Sequence, residues 1–197
     1  MTPRRLLVAL AIVIVAVGLG WAMMTALARI LRNTETAPVA EAPTSQTTPD
    51  AVPAVPRIKA TLFFASEDGR GLLAAEHEIP LAVGTVAQAR ALVEAQLAAT
   101  PPAPLVSAIP AGTSLRGLYV SERNEAFVDL DAAVRDKHPG GSMNELLTVF
   151  AIVNAITTNL PDVQSVQLLI EGREVDTLAG HVDLRRPLRK NESLITP

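Results

Sequence analysis

Two stretches of the sequence combine residue types that can move protons. Near the carboxyl end, Thr177–Leu188 reads TLAGHVDLRRPL, with His181 after a glycine and Asp183 two residues further on. An unperturbed histidine has a pKa of about 6.5, so His181 could act as a general base. If the segment is extended, the side chain of Asp183 lies on the same side and could orient the imidazole. The sequence FVDLD places Asp129 and Asp131 on one face of a strand, a spacing compatible with the paired carboxylates of glycoside hydrolases.

Both stretches also have a structural explanation, which we favour. The sequence contains no cysteine and no Gly-x-Ser-x-Gly stretch that would supply a nucleophile. Gly180 predicts a turn in which His181 hydrogen-bonds to backbone or to Asp183. A half-buried strand whose polar side chains alternate with apolar ones also explains why Asp129 and Asp131 are two residues apart. No ligand spacing such as His-Glu-x-x-His relates the three histidines, His77, His138 and His181. We therefore predict no catalytic residue, no cofactor and no metal site.

The chain has 197 residues in three segments, and the first is an apolar stretch. Leu6–Ala28 holds 23 residues without a charge, which as a helix would measure about 35 Å, enough to cross a hydrocarbon core of about 30 Å. Trp21 fits an interfacial anchor. The alternative is a cleaved signal peptide ending at Ala26-Leu27-Ala28, but the apolar region of a signal peptide is shorter, about 7–15 residues. We therefore assign residues 1–32 to a single transmembrane helix with its flanks.

Residues 33–57 form the second segment, rich in Pro, Ala and Thr. The segment lacks the large apolar side chains that offset the entropy of ordering, so its composition predicts a disordered linker. A coil of this length reaches roughly 30 Å, which makes it a tether.

The third segment, residues 58–190, has the size of an ordinary domain, and residues 191–197 follow it as a tail. Its hydrophobic pattern predicts the order β-β-α-β-β-α-β-β. This order is typical of an α+β fold: a mostly antiparallel sheet with two helices packed on one face.

Each predicted helix begins with the spacing of a capping box, Thr85 with Gln88 in the first and Ser142 with Glu145 in the second. Apolar residues then recur at helical spacing and predict the buried face. In the first helix they are Val86, Ala89, Leu92, Val93 and Leu97, and in the second Leu146, Val149, Phe150, Val153, Ile156 and Leu160.

The stretch from the second helix to the carboxyl end carries a family pattern. A helix with an Ile-Val-Asn triplet precedes a Pro-x-Val, a strand, a glycine turn, and Leu-x-Gly-His-x-Asp followed by Pro-Leu. The matching residues are Ile152, Val153, Asn154, Pro161, Gly172, Leu178, Gly180, His181, Asp183 and Pro187. This run resembles the carboxyl-terminal half of the GerMN domain, the sporulation and germination module. The first half agrees in outline only.

The resemblance implies a domain without enzymatic activity. GerMN domains are similar to ring-building modules of membrane-anchored assembly proteins, and many members are lipoproteins or single-span proteins outside the cytoplasmic membrane. This chain has no cysteine for a lipid anchor and holds one copy of the domain, where the sporulation protein itself carries two. The anchor would therefore be the apolar helix, and a role specific to sporulation does not follow.

Charge argues against nucleic acid as a partner. The chain carries a net charge of −3, and residues 58–197 hold 12 Lys and Arg against 17 Asp and Glu. A domain with this balance lacks the basic footprint of a nucleic-acid binder. The one basic cluster consists of Arg185, Arg186, Arg189 and Lys190. We interpret it as a solvated tail, with contact to anionic wall polymer or lipid as the alternative.

Asn154 interrupts the edge of an apolar helix stripe. A buried amide needs hydrogen-bond partners, so Asn154 is predicted to cap a neighbouring loop, with exposure to a partner protein as the alternative.

Together these observations predict a non-catalytic, membrane-tethered domain outside the cytoplasm. Its role would be protein assembly or interaction at the cell envelope. A link to sporulation or germination, self-association and contact with peptidoglycan stay open. The competing hypothesis is an enzyme that processes peptidoglycan with His181, Asp129 and Asp131. Those three side chains would then share one cleft, whereas a binding domain would disperse them.

The length of the uncharged Leu6–Ala28 stretch yields a test of the anchor. We expect the full-length protein to stay in the membrane fraction after alkaline carbonate washing, because a spanning helix resists extraction. Protease added from outside should digest the domain. A soluble mature form that begins at Arg29 would instead establish a cleaved signal peptide.

Overall fold

A computed structural model describes residues 55–196 of the chain. The predicted transmembrane segment Leu6–Ala28 and most of the linker lie outside these residues. The predicted order of the six strands and two long helices is confirmed, with one additional short helix. The elements are β1 (Arg57–Ala65), β2 (Leu72–Pro80), α1 (Thr85–Ala98), β3 (Leu115–Val120), β4 (Glu125–Leu130), α2 (Ala133–Asp136), α3 (Ser142–Asn159), β5 (Ser165–Ile170), β6 (Arg173–Glu174) and a final 3-10 turn (Glu192–Leu194).

The strands form two sheets, which corrects the prediction of a single one. β1 and β2 make a two-stranded antiparallel hairpin, and the other strands form a four-stranded sheet in the order β3-β4-β5-β6. In the second sheet β3–β4 and β5–β6 are antiparallel, while β4 and β5 are parallel. The parallel pair requires a crossover, and α2 and α3 supply it.

The sheets stay separate because side-chain amides occupy the edge where β1 would meet another strand. The Asn159 amide accepts from the N–H of Thr61 (2.8 Å) and donates to its C=O (2.7 Å). Gln96 does the same at Phe63, at 2.9 and 2.8 Å. Val106 completes the edge with two backbone bonds to Ala65. An edge saturated in this way cannot pair with a further strand.

Helix α3 lies at the centre of the domain and contacts β1, β5 and α1. The predicted stripe was too narrow, because every residue from Leu147 to Ile156 is buried. Ile152 and Val153 are fully buried. A helix surrounded by a hairpin edge, a sheet and another helix needs apolar residues on most of its circumference.

Neither predicted capping box forms. Each helix begins after a glycine at positive φ, Gly84 (89°) and Gly141 (89°), and no side chain caps either start. Gln88 turns instead to the preceding loop, where its amide accepts from Ala82 N–H (2.9 Å) and donates to Pro80 C=O (3.3 Å). Val86, predicted to be buried, is 43% exposed.

The segment after Lys190, predicted to be a tail, packs on the domain. Ile195 forms a bridge with Leu72 of β2, and the N–H of Thr196 donates to the Leu72 C=O (2.8 Å). A Cβ at Gly71 would meet the Thr196 hydroxyl and lie 3.1 Å from the Leu194 C=O, so glycine allows this segment to pack closely on the hairpin. Within residues 55–196 no helix is both long and apolar enough to span a bilayer.

The burial of α3 gives a stability prediction. Phe150 is 7% exposed and belongs to the main core, so Phe150→Ala should cost about 3–5 kcal/mol of unfolding free energy, and Val153→Ala somewhat less. A urea melt of residues 55–197 measures both.

Met143 is the matched control, because it lies on the same helix and is 40% exposed. Met143→Ala should change the unfolding free energy by less than about 0.5 kcal/mol. Equal effects at positions 143 and 150 would show that the buried face of α3 is wrongly assigned.

Candidate functional site

The site is built around Glu145, a fully buried carboxylate in the first turn of α3. Its Oε1 accepts from the backbone N–H groups of Leu178 and Ala179, both at 2.8 Å. Its Oε2 accepts from the backbone N–H of His181 at 2.8 Å, and lies 3.1 Å from the Nδ1 of the same residue. Four contacts from one loop therefore converge on one side chain.

The loop around His181 is shaped to present these donors. Gly180 has φ +99°, a conformation that side chains resist, and its N–H donates to the Thr177 hydroxyl at 3.0 Å. On either side, apolar side chains enter the main core and fix the loop against α3. They are Leu178, Val182 and Leu184, all less than 9% exposed.

The carboxylate of Glu145 is held in its charged form. Burial by itself would raise the pKa of this carboxyl. The backbone N–H groups of the loop outweigh burial and lower the pKa below its usual 4.5, because each hydrogen bond stabilises the anion. The N-terminus of a long helix adds a favourable dipole.

Glu145 is not free to act as a general base. A carboxylate has about four lone-pair positions, and the loop donors occupy all of them. Its side chain is also inaccessible to a substrate. The arrangement attaches the carboxyl-terminal loop to the central helix.

His181 contacts Glu145 rather than Asp183, which corrects the predicted pairing. The imidazole is 46% exposed. Asp183 forms a two-pronged ion pair with Arg185, 2.8 Å from both Nε and a terminal nitrogen, and this guanidinium lowers the pKa of the Asp183 carboxyl. No hydrogen bond therefore orients His181 through Asp183 as a catalytic base would require.

Asp129 and Asp131 hold turns of the second sheet. Asp129 accepts from the N–H of Gly172 at 2.7 Å, in the β5–β6 turn. Asp131 accepts from the Ser114 hydroxyl at 2.6 Å and from Ala133 N–H at 3.2 Å, which starts helix α2. Across residues 55–196 no hydrogen bond or ion pair joins either aspartate to His181.

The described part of the chain contains no group of three or more residues arranged to hold a metal ion. His138 accepts from Gly140 N–H (3.0 Å), which leaves Nε2 to donate to the Thr148 hydroxyl (3.2 Å). His77 packs beside Phe64, with ring centroids 5.4 Å apart. The three histidines thus have separate surroundings.

Asn154 binds the loop that precedes the final 3-10 turn. Its buried amide donates to the C=O of Asn191 at 3.0 Å and accepts from the same residue's N–H at 2.9 Å. Elsewhere in the motif, Pro161 is exposed beyond the end of α3, Gly172 (φ 73°) makes the β5–β6 turn, and Pro187 is half-buried.

Comparison with known proteins identifies the domain. The sequence model of the Germane family, described as sporulation and spore germination, matches residues 61–176. The match covers more than half of the chain. The chain belongs to this family. A comparison with curated proteins finds no significant match.

Solved structures show the same fold. The tandem GerMN domains of the sporulation protein GerM from Bacillus subtilis align with a TM-score of 0.57 at 16% identity, covering 68% of this chain and 46% of that one. The first GerMN domain of GerM alone gives a TM-score of 0.50 at 15% identity, with 68% and 96% covered. This chain thus spans about half the length of the tandem protein.

The sequence did not point to Glu145 as the partner of the Germane domain's carboxyl-terminal loop. The spacing from Ser142 suggested a cap, and the true partners lie 33 to 36 residues further along the chain. No local pattern could have revealed this contact. The only sequence feature that hinted at a buried role for Glu145 was its position next to the apolar face of the helix.

The buried Glu145 carboxylate predicts a loss of stability in acid. Its pKa is lowered by folding, so its contribution is complete above about pH 4.5 and disappears as the pH falls through the lower folded-state pKa. The free energy of unfolding of Glu145→Gln should therefore fall less than that of the wild type between about pH 5.5 and pH 3. At neutral pH it should cost about 3 kcal/mol, because its NH2 would strand donors of the loop. Urea melts across this range measure both effects.

His181→Ala is the matched variant. It keeps the backbone donors and removes only a half-exposed contact, so it should cost about 1 kcal/mol and keep most of the acid dependence. The role assigned to Glu145 fails if Glu145→Gln retains the full acid dependence of the wild type.

Proposed function

We propose that this Germane domain is a non-catalytic interaction module held at the outer side of the cytoplasmic membrane. The observation that carries the proposal is that the carboxylates which could serve acid–base chemistry are bonded within the fold. The carboxylate of Glu145 is saturated by backbone donors, and Asp129 and Asp131 hold turns. A hydrolase needs such groups free to face a substrate.

The membrane tether is supported by the sequence. Leu6–Ala28 is uncharged and long enough to cross a bilayer, and the Pro-rich residues 33–57 provide reach. Translocation of the domain that follows the helix would place it outside the cytoplasm. The family description, sporulation and spore germination, supports a part in one of those processes.

The proposed partner is another protein of the envelope. The domain is acidic overall, which disfavours attraction to nucleic acid or to an anionic surface at long range. A domain tethered in this way could equally contact peptidoglycan or a second copy of the chain. The cross-linking experiment below distinguishes these partners.

Cross-linking in intact cells tests the interaction. The full-length chain should co-purify with specific membrane or envelope proteins, because a tethered domain meets its partner at high local concentration. A chain that ends at residue 57 is the control, since it keeps the predicted anchor and linker and lacks the domain. Recovery of the same proteins with both chains would contradict a role for the domain in partner binding.

A digestion assay addresses the non-catalytic part of the proposal. Purified peptidoglycan incubated with the domain should release no soluble fragments, and His181→Ala should give the same result. Cleavage by the wild type that a folded His181→Ala variant loses would overturn the proposal.

A further inference from the structure

An apolar tip stands out at one end of the domain. It consists of Val55, Leu81, Val83 and Val86, whose exposed fractions are 62%, 49%, 97% and 43%. Val83 leaves almost its entire side chain in water. Single exposed apolar residues are ordinary, but here three lie within the six residues from Leu81 to Val86, and Val55 is in the segment that bonds to Leu81. Such a group marks an interaction site.

The loop that carries the tip is held in one conformation. The Gln88 side chain bonds both Ala82 N–H and Pro80 C=O, and Gln88 N–H donates to the Gly84 C=O at 3.0 Å. These bonds fix the shape of the loop, while the first N–H groups of α1 have no side-chain cap. A shallow contact with the hydrated lipid interface leaves those groups in water and lets the apolar side chains leave it.

The tip lies where the chain enters the domain. The N–H of Leu81 donates to the C=O of Pro56 at 2.7 Å, so the loop is attached to the residues that directly follow the predicted linker. No acidic residue occurs between Glu78 and Glu94. Arg57 and Arg90 flank the stretch and are ion-paired with Glu78 and Glu94, so the tip itself is apolar and uncharged.

We infer that this apolar tip inserts shallowly into the bilayer next to the anchor. The inference rests on the proposed membrane tether, which would keep the tip within about 30 Å of the surface. At that range a contact of a few side chains suffices, because the tether supplies a high effective concentration. Four side chains form too small a surface for a stable protein interface, which needs about 800 Å² on each partner.

The absence of cysteine from the chain permits an environment-sensitive fluorophore at a single position. We would label Val83→Cys in the full-length protein, reconstituted in phosphatidylcholine–phosphatidylglycerol vesicles that contain spin-labelled lipid. Quenching at position 83 should exceed that at Glu122→Cys by about threefold, because only the tip enters the interface. Glu122 is an exposed residue of the β3–β4 turn.

Leu81→Ser and Val86→Ser in the Val83→Cys chain should reduce the quenching towards that of the control, while Gln88 still holds the loop. Equal quenching at positions 83 and 122, in chains that float with the vesicles, would overturn the contact. A spectral shift that persists in detergent without lipid quenching would also overturn it, in favour of a protein contact. Failure of the chain to float would contradict the anchor itself and, with it, the inference.

Discussion

The tertiary structure depends on one buried charge. Glu145 brings a carboxylate into the interior, where a bare anion would be strongly unfavourable, and the loop at Leu178–His181 supplies its hydrogen bonds. The dependence is mutual, because the same N–H groups would be stranded without the carboxylate. The closing loop of the family motif and the first turn of α3 are therefore held together, although far apart in sequence.

Side-chain amides play a similar part elsewhere in the domain. Asn159 and Gln96 take the place of a neighbouring strand along β1, and Asn154 does so for the backbone of Asn191. An amide carries both a donor and an acceptor, so it can satisfy both backbone groups of one residue. This explains how polar residues sit in apolar helices and why the hairpin remains a separate sheet.

These contacts bear on function. The side chains that suggested catalysis are engaged in holding loops, which favours a domain that presents a stable surface to a partner. The motif residues of the Germane family serve mainly this framework: Ile152 and Val153 in the core, Gly172 and Gly180 in turns. The exposed apolar tip around Val83 has no such role in the framework. Its exposure is not explained by the stability of the fold.

The sequence by itself determined the order of the elements, the core face around Phe150 and the family, because these follow from local periodicity and short motifs. The tertiary structure decided the separation into two sheets, the docking of Ile195 and Thr196 on the hairpin, and the partner of His181. It also turned two predicted capping residues, Gln88 and Glu145, towards other loops. The physical reason is that a hydrogen-bonding side chain takes whichever partner the fold brings near. For Glu145 that partner lies 33 residues along the chain, and for Gln88 it lies in the loop that precedes the helix, so the capping spacing specified neither.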